Sequence, residues 1–412
     1  MHNGMQVSMF TLQNDAIMRF QKHIIEIARD CHMRFAKIHL ENWRNFTRVD
    51  VPLQQRMFLV GPNASGKSNL LDAFRFLRDL VRVGGGLEKA VADRGGISRL
   101  RSLAARRYSD IVVDVQIEDG DNAGWQYRIK LAQDNNARTY LKEEQVWKKG
   151  QLILNRPDER DNEDKELLRQ THLEQINSNR DFREISDFFN TIRYYHIVPQ
   201  LIRDPERSVG RKFDPFGGDF LEQIADAPKR TQESRLRRIL SALRVAVPQL
   251  QELVQYKDSR GVPHLRAKYD HWRSQGAWQT EVDFSDGTLR LIGLLWALLD
   301  GNGPLILEEP ELSLHAEVAI HVPEMMASTQ KGQKKQARQI LVSTHSSDLL
   351  SGPGIAPDEM LLLSPTSAGT KVEVVTSVAE IQPLLEAGLP IGEAVMPHTR
   401  PPKAEQLAFF GE

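Results

Sequence analysis

The chain's 412 residues and 46.9 kDa leave room for two or three domains, and 40% hydrophobic with 26% charged residues is an ordinary globular composition. With 54 Lys and Arg against 55 Asp and Glu, the formal net charge of −1 excludes a histone-like polycation but leaves room for a local basic surface. The single cysteine, Cys31, excludes an intrachain disulfide framework and any zinc site with two cysteine ligands; no apolar run suggests a membrane span, and residues 1–20 lack a secretory-signal plan, so a soluble, cytoplasmic protein without membrane contact is expected.

Residues 1–32 read as an N-terminal appendage. Ile17, Phe20, Ile24, Ile27 and Ala28 recur at helical spacing and predict one amphipathic helix. Regular structure restarts at Met33 with the alternating run RFAKIHLENWRNF, and Met33 is itself a candidate start, so whether the first 32 residues belong to the native product stays open. A short strand (57–60, MFLV) leads into a Gly-rich turn and a helix from Ser68 to about Val83. IVVDVQIED, WQYRIKLAQ and TYLKEEQVWKKG then predict an antiparallel meander with DG and NN turns.

RPDERDNEDKELLRQ is dense in charge and predicts an exposed loop or solvated helix. Residues 165–255 are mostly helical in pattern; Leu236, Ile239, Leu240 and Leu243 form one stripe, and Pro248 ends or kinks that helix. After Glu281 the pattern is α/β again: an apolar helix (TLRLIGLLWALLD), a buried strand (PLILEE), a helix, a strand (QILVSTHS) and a final αβ tail. The division expected is 1–32, 33–155, a mainly helical insertion or lid over 156–280, and 281–412. No internal repeat is evident.

Gly61-Pro62-Asn63-Ala64-Ser65-Gly66-Lys67-Ser68 fits G-x-x-x-x-G-K-[ST] and lies between a strand and a helix, where a phosphate-binding loop belongs. Glycines let the backbone N–H groups turn inward on phosphate, and the following helix adds its positive end. Lys67 is assigned to the β- and γ-phosphates and Ser68 to Mg²⁺, with Gly61, Asn63, Ala64, Ser65, Gly66 and Asn69 completing an ATP site. The strand PLILEE runs apolar residues into two adjacent acids, which are costly there unless they serve a metal or a proton. Glu308 is assigned to Mg²⁺ and Glu309 to the attacking water; the competing reading is a helix cap at Glu309-Pro310.

His345 ends another buried strand, 36 residues after Glu309 with hydroxyls on both sides, and reads as a γ-phosphate sensor. In Asp283-Phe284-Ser285-Asp286-Gly287-Thr288-Leu289-Arg290, Ser and Gly open a helix, which by itself is a capping motif.

These four segments, GPNASGKS, FSDGTLR, LILEEPELSLH and STHSSDLL, resemble in order the Walker A, signature, Walker B with D-loop, and switch histidine of ABC-type ATPase heads in the SMC, RecF and OLD families. The resemblance runs from Met33 to about Val375 apart from the middle segment, and EPELSLH is most similar to standalone OLD-like AAA ATPases of bacterial phage defence. It implies an α/β fold: an ABC/SMC-like P-loop head with an antiparallel β-subdomain and a helical insertion. Lys67, Glu309 and His345 would be catalytic, and Ser285 and Gly287 would contact the γ-phosphate held by a second subunit. Mg²⁺-dependent ATP hydrolysis in a head-to-head homodimer, or a higher oligomer, follows from it.

The chain departs from the pattern in several places. Glu308 stands where Asp is usual, Asp286 and Thr288 replace the Gly and Gln of transporters, and no Q-loop glutamine is identified. Lys67 and Ser285 are 218 residues apart, too close for a long coiled coil. Only 67 residues follow His345, too few for a TOPRIM nuclease domain, and Asp119-Gly120-Asp121 reads as turn chemistry. The chain is therefore expected not to be a nuclease by itself; by resemblance to two-gene defence systems, a separate effector protein would supply that chemistry. A RecF- or SMC-like DNA repair ATPase without an effector is the alternative reading.

Arg94, Arg99, Arg101, Arg106 and Arg107 form a candidate DNA contact, with intramolecular pairing as the competing reading. Tyr269, His271, Trp272 and Trp278 suit base stacking or core or interface packing, and Leu407, Phe409 and Phe410 suit a docking tail or packing on the sheet.

Overall fold

The computed structural model describes residues 33–105, 109–120, 122–134, 136–204, 214–270, 277–331 and 337–400. The expectations for residues 1–32, Arg106, Arg107, Asp121, His271, Trp272 and the tail from 401 lie outside the described residues. In chain order, β1 (Met33–Trp43) and β2 (Phe46–Pro52) form a hairpin, and β3 (Arg56–Val60) leads into helix α1 (Lys67–Val81). β4 (Ile111–Asp119), β5 (Asn122–Gln133), β6 (Thr139–Lys148) and β7 (Gln151–Arg156) follow as the meander.

The helices that bear on the site are α2 (Arg183–Asn190), then, after β8 (Arg193–Tyr195), α3 (Pro199–Ile202) and α4 (Lys229–Ala246). β9 (Leu250–Lys257), β10 (Pro263–Tyr269) and β11 (Ala277–Thr280) precede α5 (Asp286–Leu299). The chain then gives β12 (Leu305–Glu308), β13 (Ile340–Ser343), α6 (Ser347–Ser351), β14 (Met360–Thr366) and β15 (Gly369–Val374).

Three sheets result. One is antiparallel in the order β2-β1-β4-β5-β6-β7; a second has the order β15-β14-β3-β13-β12-β8, parallel except for β15; the third is β11-β10-β9. The parallel sheet is covered on both faces, which explains the unbroken apolar runs of its strands. Met57, Leu59, Ile306 and Leu341 pack into the core shared with the antiparallel sheet, α1 and α2, whereas Phe58, Val60, Leu305, Leu307, Ile340 and Val342 pack into the core holding α4 and α5. All three central strands end on the same side, so their polar ends converge there.

Two expectations need correction. The segment read as mainly helical, 156–280, also supplies β8 to the parallel sheet and the three strands of the small sheet. β8 is too short to show an alternation. In β9, Leu250 and Leu253 are both buried and three apart, which imitates a helical repeat; a register shift opposite Lys268 and Tyr269 lets both face inward. The third meander strand, expected to run to Gly150, ends in a tight turn through Lys149 (φ 51) and Gly150 (φ 79), and β7, which the sequence reading does not anticipate, pairs back on it. Among the described residues no helix is long and apolar enough to cross a membrane.

Candidate active site

The loop after β3 curls through left-handed positions at Ala64 (φ 61) and Gly66 (φ 99) before α1 begins. A Cβ on Gly66 would lie 2.2 Å from Asn45 Nδ2, so the β1–β2 turn presses directly on the loop. Asn45 Nδ2 donates to the Ser65 carbonyl (2.9 Å) and to Thr370 Oγ1 (2.7 Å), and Asn45 Oδ1 accepts from Asn69 Nδ2 (2.8 Å). Sequence reading missed Asn45; its only signal was a polar residue in a tight turn. Gly66→Ala should cost roughly 1–3 kcal/mol in backbone strain alone, read as a lower unfolding midpoint together with loss of nucleotide binding by fluorescence titration.

Lys67 is buried and its ammonium donates to the carbonyls of Gly61 (2.8 Å) and Pro62 (3.2 Å). Burial pulls its pKa down, against the opposing pull of Glu309, Glu308 and Glu311. Ser65 Oγ is buried with no hydrogen-bond partner.

Glu308 ends β12, and the parallel register sets it beside Ser343. Its Oε1 accepts from the Ser68 hydroxyl and its Oε2 from the Tyr194 hydroxyl. Glu309 follows with φ 45, its N–H donating to the Ser343 carbonyl (3.0 Å) and its Oε1 lying 3.0 Å from His345 Nδ1. The two adjacent carboxylates thus have separate partners: Glu308 meets the P-loop serine and Glu309 meets the histidine. Glu309-Pro310 does not open a helix: residues 310–314 run through turns, and the next helix, beginning at Ala316, is capped by His315. Glu311 accepts from Thr344 Oγ1 (2.6 Å), and burial pushes its carboxyl above the usual range.

Ser285 is the N-cap of α5, its Oγ accepting from the Thr288 N–H (3.2 Å). Asp286 pairs with Arg203 (2.7 Å) and accepts from Gln200 Nε2 (3.1 Å), both from the α3 segment. A Cβ on Gly287 would lie 2.5 Å from the Ser313 carbonyl, so the start of α5 rests on the loop that follows Glu309. The structure therefore gathers Lys67, Ser68, Glu308, Glu309 and His345 at one strand-end cluster, while Ser285 and Gly287 sit at the start of a separate helix.

The arginine cluster needs a correction. Arg94 is buried, bidentate on Asp72 (2.8 and 2.9 Å) and 3.0 Å from Asp79, so its charge is spent inside the protein and is not presented to DNA. Arg99 is exposed and Arg101 half-buried. Trp278 is 44% exposed, with the Arg266 guanidinium 4.6 Å from its ring centroid, so core packing does not describe it.

No curated protein sequence matches the chain. In structure it is similar to the SMC head bound to the C-terminal winged-helix domain of ScpA, with 15% identity, 82% of this chain and 97% of that chain covered, and a TM-score of 0.50. An SMC head with an extended coiled coil, bound to the C-terminal domain of ScpA from Pyrococcus furiosus, has 14% identity, coverage of 87% and 100%, and a TM-score of 0.49. The SMC head from Thermotoga maritima has 14% identity, coverage of 83% and 99%, and a TM-score of 0.44. The fold is that of an α/β SMC-type P-loop head with an antiparallel sheet and helices, and no long coiled coil occurs among the described residues. Residues 56–351 match the family described as AAA domain, putative AbiEii toxin, Type IV TA system, and the chain belongs to that family of P-loop ATPases.

Proposed function

We propose that this chain is a Mg²⁺-dependent ATP hydrolase that closes head to head on two ATP molecules and serves as the regulatory ATPase of an OLD-like, two-part defence system, controlling a separate nuclease or toxin. The observation that carries the reading is the Glu309–His345 pair beside the Lys67 loop, because a protein that only bound ATP would have no need of a base and a sensor at the γ-phosphate end. The toxin–antitoxin wording of the family supports the defence context.

The residues present fit a nucleotide and its metal. The orphaned Ser65 hydroxyl and the inward-curled loop amides suit phosphate oxygens, and the oxygen donors Ser68 and Glu308 would hold Mg²⁺. Held by Ser68 and Glu308, Mg²⁺ would supply charge neutralisation for the nucleotide phosphates. Lys67 exchanges its carbonyl contacts for phosphate, Glu309 Oε1 orients the attacking water and takes its proton, and His345 Nδ1 holds Glu309. Ser285 and Gly287 of a second copy close the site; the effector, not this chain, carries nuclease or toxin chemistry.

Tagged Glu309→Gln protein, captured from its native host with ATP and Mg²⁺, tests the biological role. A stoichiometric second protein whose nuclease or toxin activity changes with ATP supports it. DNA recovered without such a protein would replace it with the DNA-maintenance reading.

A further inference from the structure

Tyr194 lies at the centre of β8, the edge strand beside β12, and the parallel register sets it opposite Ile306, two residues before Glu308. Tyr194 and Ile306 share the core that holds α1, and Glu308 has the parity of Ile306, so its side chain leaves the strand toward α1 and Ser68. There the Tyr194 hydroxyl donates to Oε2 while the Ser68 hydroxyl meets Oε1. The phenol is 8% exposed, and the Arg75 guanidinium sits 5.5 Å from its ring centroid, which fixes the ring in place.

Glu308 carries its carboxylate on one methylene more than an aspartate would. A longer carboxylate has an additional rotatable bond, and a metal ligand free to turn loses entropy on binding. We propose that Tyr194 is a positioning residue that removes this freedom, holding one oxygen of Glu308 so that the other stays beside Ser68, where nucleotide-bound Mg²⁺ is to be met. This rests on the ATPase reading above. Partners of metal ligands of this kind typically change metal affinity by roughly 10–100-fold when removed.

The test uses the full-length chain with a non-hydrolysable ATP analogue and Mn²⁺ as the metal probe, its free concentration read by electron paramagnetic resonance. Tyr194→Phe should weaken Mn²⁺ in the nucleotide complex by roughly 10–100-fold and leave analogue affinity in EDTA unchanged. In a Glu308→Asp background the same change should have little further effect, since the shorter side chain no longer spans both hydroxyls; this non-additivity is what a direct contact requires. Equal losses with and without metal would make Tyr194 a packing residue and overturn the proposal. So would Mn²⁺ affinity indistinguishable from wild type, or additive effects in the double variant. Wild-type protein that binds Mn²⁺ no better than Ser68→Ala would overturn the metal assignment itself, a result distinct from failure of Tyr194 alone.

Discussion

Glu309→Gln is expected to lower ATP turnover by roughly 10²–10⁴-fold, the usual contribution of a positioned general base, while ATP still binds. The amide keeps the shape of the side chain and an acceptor oxygen for His345, 3.0 Å away in the wild type, so the site's geometry survives. What is lost is basicity toward water. Glu308, Ser68 and Lys67 are untouched, which separates the chemical step from nucleotide binding. Phosphate release at saturating ATP and equilibrium binding of ATP measure the two effects. Loss of turnover with unchanged affinity is the expected pattern; wild-type turnover in the variant would remove Glu309 from the role.

The largest stability effect is expected far from the nucleotide. Arg156 is 1% exposed and pairs with Glu144 (2.9 Å) and Asp161 (2.6 Å), while also donating to the carbonyls of Leu167 and Gln170. Glu144 is wholly buried and otherwise accepts from the His172 and Leu173 N–H groups and Tyr127. This cluster pins the charged segment after β7 to the antiparallel sheet, which is why a stretch so poor in apolar residues is ordered there. Arg156→Met fills the space but leaves buried carboxylates without their cation, at a cost of roughly 3–5 kcal/mol.

The pH dependence has a definite sign. Burial already raises the Glu144 carboxyl, so its ionisation opposes folding: that contribution is most favourable below the unfolded pKa and is lost as pH rises through the folded one. Asp161 is also pushed up by burial, but its bonds to Arg156 and the Asp158 amide outweigh this and hold it low; its contribution is present above the unfolded pKa and lost as pH falls. Removing Arg156 worsens both at neutral pH. The deficit of Arg156→Met in urea unfolding should therefore be largest at neutral pH and shrink below the carboxylate range. A constant deficit would mean that lost packing, not charge, is the cause.

The strand-end cluster was readable in the sequence because each part is local. A loop, two acids and a histidine each terminate an apolar run, and a parallel sheet brings such ends together whatever the intervening chain does. What joins them from outside was not readable. Asn45 acts on Gly66 only because the β1–β2 turn folds onto the loop, and Tyr194 reaches Glu308 only because a three-residue strand joins the sheet edge. Arg203 and Gln200 touch Asp286 from a short helix more than 80 residues earlier. Arg94 shows the reverse failure: an arginine-rich run looks basic until its acids, Asp72 and Asp79, are seen on the helix beneath.

Closure of two copies around ATP is measured by sedimentation velocity of Glu309→Gln. Ser285 caps α5 at the proposed joining surface and Gly287 rests on Ser313, so Ser285→Arg blocks closure without touching the loop from Gly61 to Ser68. ATP with Mg²⁺ should convert Glu309→Gln from monomer to dimer, and the added Ser285→Arg should hold it monomeric while ATP binding persists. Sedimentation that ignores ATP, or dimers that survive Ser285→Arg, would contradict the account.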